Sequence, residues 1–190
     1  KKYDLTHSFF SVPCGFISLL IKIKYKIPYV VSLRGADVPG YSERFSSIYN
    51  ILTPLIKFIW KKSDAVVSNS AGLKDLAQKT NPNQKIKVIY NGVDTDEFRP
   101  QDDISHANDP YILCISRLTE RKGINYLISA MKDIVQKYPD VRLKIVGEGN
   151  AKDDLEVQAE NLGIKDKVEF LGLVAHEKLP NIYNSALFFV

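Results

Sequence analysis

Short apolar runs alternate with amphipathic helical patterns along the whole sequence, and this alternation limits the fold more than any other feature of the chain. Most of the runs are continuously apolar, which is typical of parallel strands that helices cover on both faces. We therefore predict an α/β fold with parallel sheets. The predicted strands are residues 5–9, 29–34, 65–70, 86–90, 111–116, 142–146, 168–171 and 187–190.

Apolar residues at intervals of three and four predict two clear helices. One covers residues 123–137, and the other covers residues 48–62, where Pro54 is expected to kink or restart it. Met131 and Trp60 lie on the apolar stripes of these helices. We therefore interpret both as core residues rather than as cofactor contacts.

The periodic pattern stops at residues 95–109, which read TDEFRPQDDISHAND. This acidic, polar segment lies between two predicted strands and is typical of a linker between domains. The prediction is therefore the latter part of one α/β domain over residues 1–97, a linker over 98–109, and the first part of a second α/β domain over 110–190.

The net charge of +4 is unevenly distributed along the chain. Residues 1–62 contain 10 Lys and Arg against 3 Asp and Glu, a net charge of +7, so the remaining residues are slightly acidic. A basic segment suits an anionic membrane surface or an anionic substrate, and a solvated basic face is the alternative. It lacks the basic and aromatic motifs of nucleic-acid binding, so we expect no nucleic-acid partner.

The two cysteines, Cys14 and Cys114, are far apart, and each lies in an apolar stretch. They give neither a disulfide framework nor the spacing of metal ligands. We therefore expect a protein of the reducing cytoplasm that binds no metal.

Residues 111–123, YILCISRLTERKG, place a strand, a loop with cations and the start of a helix in direct succession. Ligands of open α/β sheets bind at the carboxyl ends of the strands, where the next helix directs its free N–H groups. Arg117 offers a planar pair of donors and Lys122 a mobile point charge, so together they suit a diphosphate. A solvated loop is the alternative interpretation.

Five segments stand out as motifs, namely SRL at 116–118 with KG at 122–123, NGVD at 91–94, IVGEG at 145–149, VEFLGLV at 168–174, and the predicted helix at 179–183. In this content and order they resemble the family 4 glycosyltransferases. The resemblance covers essentially the whole chain and implies a GT-B fold, in which two Rossmann-like parallel-sheet domains are both incomplete here.

The resemblance implies a glycosyltransferase that moves a sugar from a nucleotide-diphosphate sugar to an acceptor hydroxyl with retention of configuration. The expected role is the synthesis of cell-surface glycan, polysaccharide or glycolipid, on a sugar or lipid-linked acceptor. The nucleotide-diphosphate sugar is a co-substrate, and no other cofactor is expected. A non-catalytic nucleotide-sugar-binding module of the same fold is the alternative.

In the second domain, the resemblance assigns the donor diphosphate to Arg117 and Lys122, and the nucleotide pocket to Gly147, Leu173 and Val174. Glycine at 147 and at 149 lets the backbone approach a ligand closely. The dinucleotide fingerprint is absent, because Lys152 stands where its third glycine would be. A core or turn role is the alternative for Val174.

In the first domain, the resemblance places Arg34, Gly35 and Asp37 on the acceptor side of the cleft. Many family members have His where this chain has Arg34, and Arg cannot exchange a proton near neutral pH. Arg34 is therefore interpreted as a ligand of phosphate or carboxylate, with a surface ion pair to Asp37 as the alternative. His7 is either structural or directed at the cleft, and the segment Ser68–Ser70 either contacts the acceptor or caps the helix that follows.

Two parts that the resemblance implies are missing from this sequence, a glycine-rich loop expected before Lys1 and a glutamate pair expected after Val190. We therefore expect the 190-residue chain alone to show no turnover.

A basic and apolar group in the first domain predicts either peripheral contact with the inner face of the membrane or core helices with solvated lysines. Its members are Lys22, Lys24, Lys26, Lys57, Lys61 and Lys62 with Phe16, Ile17, Leu19, Leu20, Phe58 and Trp60.

Overall fold

The computed structural model describes residues 2–43, 46–101 and 110–190. They form two compact units, Lys1–Gly92 and Val93–Val190. Each unit contains a sheet of four parallel strands, with helices between successive strands. The prediction of an α/β fold with parallel sheets is confirmed.

In the first unit, strands that are neighbours in the chain are also neighbours in the sheet, in the order β1-β2-β3-β4. All of them are parallel, so their carboxyl ends lie at one edge. The elements are β1 (Thr6–Phe9), α1 (Phe16–Tyr25), β2 (Tyr29–Leu33), α2 (Ser46–Lys62), β3 (Ala65–Ser68), α3 (Ala71–Thr80) and β4 (Lys87–Val88).

Helix α2 supplies much of the core of the first unit. Its residues Ile56, Ile59 and Trp60 are almost fully buried, and they belong to the same cluster as Tyr29 of β2. The core role predicted for Trp60 is confirmed. The helix continues through Pro54, so the predicted restart is wrong. Burial of residues on either side of the proline stabilises the helix as one element, because tertiary packing rather than local propensity supplies most helical stability.

The second unit follows the same alternation of strand and helix. Its elements are β5 (Tyr111–Ile115), α4 (Ile124–Lys137), β6 (Arg142–Val146), α5 (Lys152–Asn161), β7 (Val168–Gly172), α6 (Leu179–Ser185) and β8 (Phe188–Phe189).

The sheet of the second unit has the order β7-β6-β5-β8. The chain adds strands on one side of β5 and then reverses to place β8 on the other side, which is the arrangement of a Rossmann half-fold. Ile112 and Cys114 of β5 face a cluster that contains Met131 of α4, which is fully buried as predicted. Tyr111 and Leu113 face the opposite layer. Strand β5 is therefore covered on both faces.

Residues 93–101 belong to the second unit, so the unit boundary falls before the predicted domain end at residue 97. The side chain of Asn184 donates a hydrogen bond to the carbonyl of Arg99 at 3.0 Å and accepts one from the backbone of Gln101 at 3.1 Å. The start of the predicted linker is thus held against α6. The rest of that linker, residues 102–109, lies outside the described residues.

The loop after β6 crosses directly over the loop after β5. A Cβ atom at residue 147 would lie 1.9 Å from the Ser116 carbonyl oxygen, and a Cβ atom at residue 149 would lie 2.1 Å from the Leu118 carbonyl oxygen. Gly147 also has a φ of +136°, which L side chains rarely adopt. Both glycines are therefore required by backbone packing within the protein.

We expect Gly149→Ala to lower the free energy of unfolding of the second unit by about 1–3 kcal/mol, because the added methyl group has no space. Gly72→Ala is the matched control, since Gly72 lies in α3 with no atom within 4 Å of the added carbon. The control should raise the stability of the first unit by about 0.5–1 kcal/mol. Calorimetric unfolding of the complete protein measures both effects. A stability of Gly149→Ala equal to that of the wild type would contradict the predicted clash.

Candidate functional site

A pocket of about 270 Å³ opens at the carboxyl ends of three neighbouring strands in the second unit. It brings together the predicted residues Arg117, Gly147, Leu173 and Val174, although they are separated by up to 57 positions in the sequence. Its lining consists of residues 115–117 after β5, 146–148 after β6, 173–174 after β7, and Leu179 at the start of α6.

Backbone hydrogen bonds hold the walls of this pocket together. The Ser116 N–H donates to the Val146 carbonyl at 3.0 Å, and the Leu118 N–H donates to the Glu148 carbonyl at 3.0 Å. The Gly147 N–H donates to the Gly172 carbonyl at 2.8 Å. The three strand ends are therefore joined to one another just beyond the sheet, which gives the pocket a rigid floor of backbone.

Arg117 lines the pocket with an exposed side chain. Among the described residues its guanidinium group forms neither a hydrogen bond nor an ion pair, so its donors remain available to a ligand. A planar guanidinium binds two phosphate oxygens at once. The position and the free donors of Arg117 suit an anionic ligand.

Lys122 does not line this pocket. It ends a 3-10 turn, Glu120–Lys122, that leads into α4, and its side chain is exposed. Burial raises the pKa of the Cys114 thiol in β5, and the positive charge of Lys122 opposes that rise. The ammonium group therefore lies within electrostatic reach of the strand end, while the structure separates it from the pocket lining that contains Arg117.

The two predicted residues after β7 differ in their environments. Leu173 is 81% exposed, whereas Val174 is half-buried and packs against a cluster that includes Tyr111 and Leu113. Val174 thus has the core role that was the alternative interpretation, and it also lines the pocket. Leu173 offers an apolar surface that no other part of the described chain covers to any large extent.

Glu148 is a pocket residue that the sequence analysis did not identify. Its carboxylate lies 3.8 Å from the ammonium group of Lys152. Its position between two glycines in a strand-to-helix loop was the available signal, because polar side chains at such a loop face the carboxyl edge of the sheet. The pocket therefore carries one acidic and one basic side chain.

A larger pocket, of about 520 Å³, lies elsewhere in the second unit, between residues 93–100 and α6. Its wall is aromatic and apolar, since the rings of Phe98 and His176 meet edge to face with centroids 5.2 Å apart. Among its lining residues there is no predicted site residue. We regard the smaller pocket as the better candidate, because it lies at the strand ends where open α/β sheets bind their ligands.

In the first unit, Arg34 follows β2 and is half-buried. Its guanidinium carbon lies 4.7 Å from the centroid of the Phe9 ring, and its Nη1 donates to the Asn91 side chain at 2.7 Å. Asp37 accepts from the backbone N–H of Arg34 at 2.9 Å rather than from its guanidinium. The alternative of a surface ion pair between Arg34 and Asp37 is therefore wrong, because the carboxylate is buried and holds the backbone.

Asp37 is 6% exposed and joins two loops of the first unit. Its second oxygen accepts from the backbone N–H of Ser11 at 2.8 Å and from the Ser11 hydroxyl at 2.9 Å. The Trp60 indole in turn donates to that hydroxyl at 2.8 Å. Asp37 thus fixes the loop that carries Arg34.

The charge of Asp37 also acts on the nearby phenol of Tyr49. Burial raises the pKa of the Tyr49 phenol, and the Asp37 carboxylate raises it further.

The remaining predicted residues of the first unit take part in contacts that stabilise its loops and helix ends. Gly35 has a φ of +112°, and the Tyr41 ring occupies the space where its side chain would be. The Nε2 atom of His7 lies 2.7 Å from the Ser32 hydroxyl. Ser70 caps α3 by accepting from the Leu73 N–H at 3.2 Å, which confirms the capping interpretation.

The predicted basic and apolar group separates into core and surface residues. Leu19 and Trp60 are buried in the core, so these two cannot contact a membrane. Lys22 is engaged by Asp64, with its ammonium 2.7 Å from the carboxylate. Four members of the group are exposed apolar side chains, namely Phe16, Ile17, Leu20 and Phe58.

Within residues 2–43, 46–101 and 110–190, no cluster of three or more His, Cys, Asp or Glu side chains is arranged to hold a metal ion. None of the helices there combines the length and the apolar content needed to cross a bilayer.

The two parallel sheets and the pocket at the carboxyl edge of the second sheet define the class of the protein, which has the GT-B fold of the solved structures that it matches. The Anabaena protein HepE, solved in complex with UDP and glucose, matches with a TM-score of 0.77 and 21% identity. The match covers 99% of this chain and 52% of HepE. Sucrose-phosphate synthase from Thermosynechococcus elongatus matches with a TM-score of 0.78 and 20% identity over 99% of this chain and 50% of that enzyme.

Comparison of sequences gives the family. The family Glycosyltransferase Family 4 matches residues 1–97, and the family Glycosyl transferases group 1 matches residues 94–190. The chain therefore belongs to the glycosyltransferases that these two families describe, and the resemblance noted in its motifs is confirmed.

Curated relatives agree with this assignment. An uncharacterized glycosyltransferase of Methanocaldococcus jannaschii is 30% identical over 97% of this chain and 50% of its own length. Alpha-monoglucosyldiacylglycerol synthase of Streptococcus pneumoniae is 25% identical over 100% of this chain and 47% of its own length. The chain thus spans about half the length of the relatives that it matches.

We expect Asp37→Asn to lower the free energy of unfolding of the first unit by about 1–3 kcal/mol. All three partners of this carboxylate are hydrogen-bond donors, so an amide must direct its NH₂ group at one of them. Asp75→Asn on the exposed surface of α3 is the matched control and should change stability little. Thermal unfolding of the complete protein measures the stability of both variants. Equal stability of the two variants would show that Asp37 does not hold these loops together.

Proposed function

We propose that the complete protein transfers a sugar from a nucleotide-diphosphate sugar to an acceptor hydroxyl, with retention of anomeric configuration. The observation that supports this most strongly is the Arg117 guanidinium in the pocket at the ends of β5, β6 and β7, since its donors are not used within the described chain. A donor leaving group carries its negative charge on a diphosphate. An unpaired cation at a strand end is suited to bind it.

The reaction breaks the bond between the anomeric carbon and the diphosphate oxygen, and it forms a bond from that carbon to the acceptor oxygen. The acceptor hydroxyl gives its proton to the departing diphosphate, which leaves with the electrons of the broken bond. Arg117 would stabilise the growing charge through two donors. Lys122 would contribute as a mobile cation from the start of α4, because its long side chain can reach a ligand that extends beyond the pocket lining.

The nucleotide would be held by the walls of the same pocket. Gly147 supplies a surface of bare backbone, while Leu173 and Val174 supply apolar contact. Leu173 is exposed to solvent in the structure, so covering it with a base would remove apolar area from water. The solved relative HepE was crystallised with UDP, which supports a uridine nucleotide as one candidate.

The acceptor would bind the first unit, where Arg34, Gly35 and Asp37 follow β2. Of these, Arg34 presents a side chain that a ligand can contact. Asp37 and Gly35 would act indirectly, since the buried carboxylate and the backbone turn position Arg34. Relatives include enzymes named for glycolipid products, which supports a role in glycolipid synthesis within the broader proposal of cell-surface glycan or polysaccharide synthesis.

Arg117→Ala should weaken the binding of a nucleoside diphosphate by about tenfold or more, because a hydrogen bond to a charged group contributes about 1.5–3 kcal/mol. Lys122→Ala should weaken it by a smaller factor, since Lys122 lies outside the pocket lining. Isothermal titration of the complete protein with UDP, GDP and ADP measures the affinities and identifies the base.

Arg142→Ala is the matched control for this titration, since Arg142 begins β6 at the opposite end of the sheet and removes the same charge. It should leave the affinity unchanged. A loss of binding that is equal in all three variants would mean that net charge, rather than the pocket, attracts the nucleotide. Tight binding that is unaffected by Arg117→Ala would overturn this assignment, and binding without transfer would favour a non-catalytic nucleotide-sugar-binding module.

We also propose that α1 and the end of α2 contact the inner face of the membrane. Ile17, Leu20 and Phe58 are about half-exposed, and exposed lysines flank them at Lys24 and Lys57. Apolar side chains surrounded by lysines favour an interface of anionic lipid.

The complete protein should bind vesicles that contain an anionic phospholipid at low salt and should dissociate as salt is added. Ile17→Ser combined with Leu20→Ser should reduce the bound fraction, because these changes remove apolar area that would enter the lipid. Lys79→Glu in α3 is the control for charge alone and should have little effect. Equal binding to vesicles of neutral lipid at high salt would contradict the proposal, and so would no binding at all.

A further inference from the structure

A second pocket lies at the carboxyl edge of the sheet in the first unit, and it has a volume of about 170 Å³. We call it the β1–β4 pocket, because all four strands or the residues directly after them contribute to it. Its lining residues are His7, Phe9, Ser32, Leu33, Arg34, Val67, Ser68, Asn69, Ile89, Tyr90 and Asn91.

The electrostatic character of the β1–β4 pocket is positive. Arg34 carries a permanent charge, and no Asp or Glu is among the described residues of the lining. The nearby Asp37 carboxylate does not cancel this charge by direct pairing, since both of its oxygens accept hydrogen bonds from other groups. Hydroxyl and amide groups supply the rest of the polar lining.

Three contacts hold Arg34 in place. Its backbone N–H donates to Asp37, its Nη1 donates to Asn91, and its guanidinium lies against the Phe9 ring. A guanidinium has five N–H donors, and one hydrogen bond from it to a described side chain is found here. A fixed guanidinium with unused donors is a preorganised receptor for two oxygens of one anion.

The size of the pocket limits its ligand. A volume of about 170 Å³ is that of roughly five or six water molecules, so the pocket itself encloses a group of a few heavy atoms. A carboxylate or a phosphate with part of a sugar ring does fit. Tyr90 at the rim is 69% exposed and offers an aromatic face to such a ring.

We propose that the β1–β4 pocket binds an oxyanion, a carboxylate or a phosphate, carried by the sugar acceptor. Arg34 makes the bidentate contact, and Asn91 positions its guanidinium. The acceptor of this protein is therefore an acidic or phosphorylated glycan rather than a neutral one. Describing the ligand as the acceptor rests on the proposed function, whereas the binding of an anion here does not.

The test uses the complete protein with the Arg117→Ala substitution, so that binding of phosphate at the proposed donor pocket is weakened and the Arg34 variants report on the β1–β4 pocket. Inorganic phosphate, glucuronate and glucose are titrated separately, and binding is followed by calorimetry. We expect at least one of the two anions to bind and glucose to bind about tenfold more weakly or not at all. Binding of phosphate alone identifies a phosphorylated acceptor, and binding of glucuronate alone identifies a uronic acid.

Variants locate the binding site. Arg34→Gln should weaken anion binding about tenfold or more, and Arg34→Lys should weaken it less, because the charge remains while the planar pair of donors is lost. Lys87→Gln in β4 removes one charge from the same sheet without touching the pocket lining, and it should have no effect. If Arg34→Gln does not fold, the comparison of Arg34→Lys with the wild type decides.

Several results would overturn the proposal. The first is that neither anion binds, and the second is that glucose binds as tightly as the anion that binds best. The third is that anion affinity is unchanged in the Arg34 variants. Failure of the proposed function is measured separately, since it appears as nucleotide binding that does not depend on Arg117. The proposed function is therefore tested by substitution of Arg117, and anion binding in the β1–β4 pocket is tested by substitution of Arg34.

Discussion

The second unit depends on the close approach of two backbone segments. The carbonyl oxygens of Ser116 and Leu118 fill the space that side chains at 147 and 149 would need. This contact joins the loop after β5 to the loop after β6, and a hydrogen bond from Gly147 joins it to the end of β7. The pocket exists because the three strand ends are held together in this way. Arg117 then has a fixed base from which to reach a ligand.

The first unit reaches a similar result by different chemistry. A buried carboxylate, Asp37, replaces close glycine packing as the group that fixes the loop at the strand end. It accepts hydrogen bonds from Ser11 and from the backbone of Arg34, and Trp60 completes the network from α2. A buried charge of this kind is stable only while its donors remain in place. The position of Arg34 is therefore coupled to the core of the unit.

The sequence predicted β2 and β5 well, because a parallel strand that is buried on both faces is almost continuously apolar. Strand β4 is shorter than predicted, and its two residues are not buried. Helix α5 was not predicted, since only Leu155 and Ala159 of its residues are buried and its third apolar residue, Val157, is exposed. The motifs predicted the residues that meet around Arg117, yet spacing could not show that Lys122 lies outside the pocket lining. Nor could it show that Asp37 bonds a backbone N–H, because hydrogen-bond partners depend on how separate segments pack.

The steric requirement for Gly147 and Gly149 separates two roles of pocket residues, which are stabilising the fold and contacting the ligand. Backbone packing within the folded chain requires these glycines. Leu173 and Glu148 line the same pocket, but the core does not require their side chains. Such a division would let the ligand preference of the pocket change without loss of stability. A library that randomises Glu148 and Leu173 but keeps both glycines would sample new specificities on an unchanged scaffold.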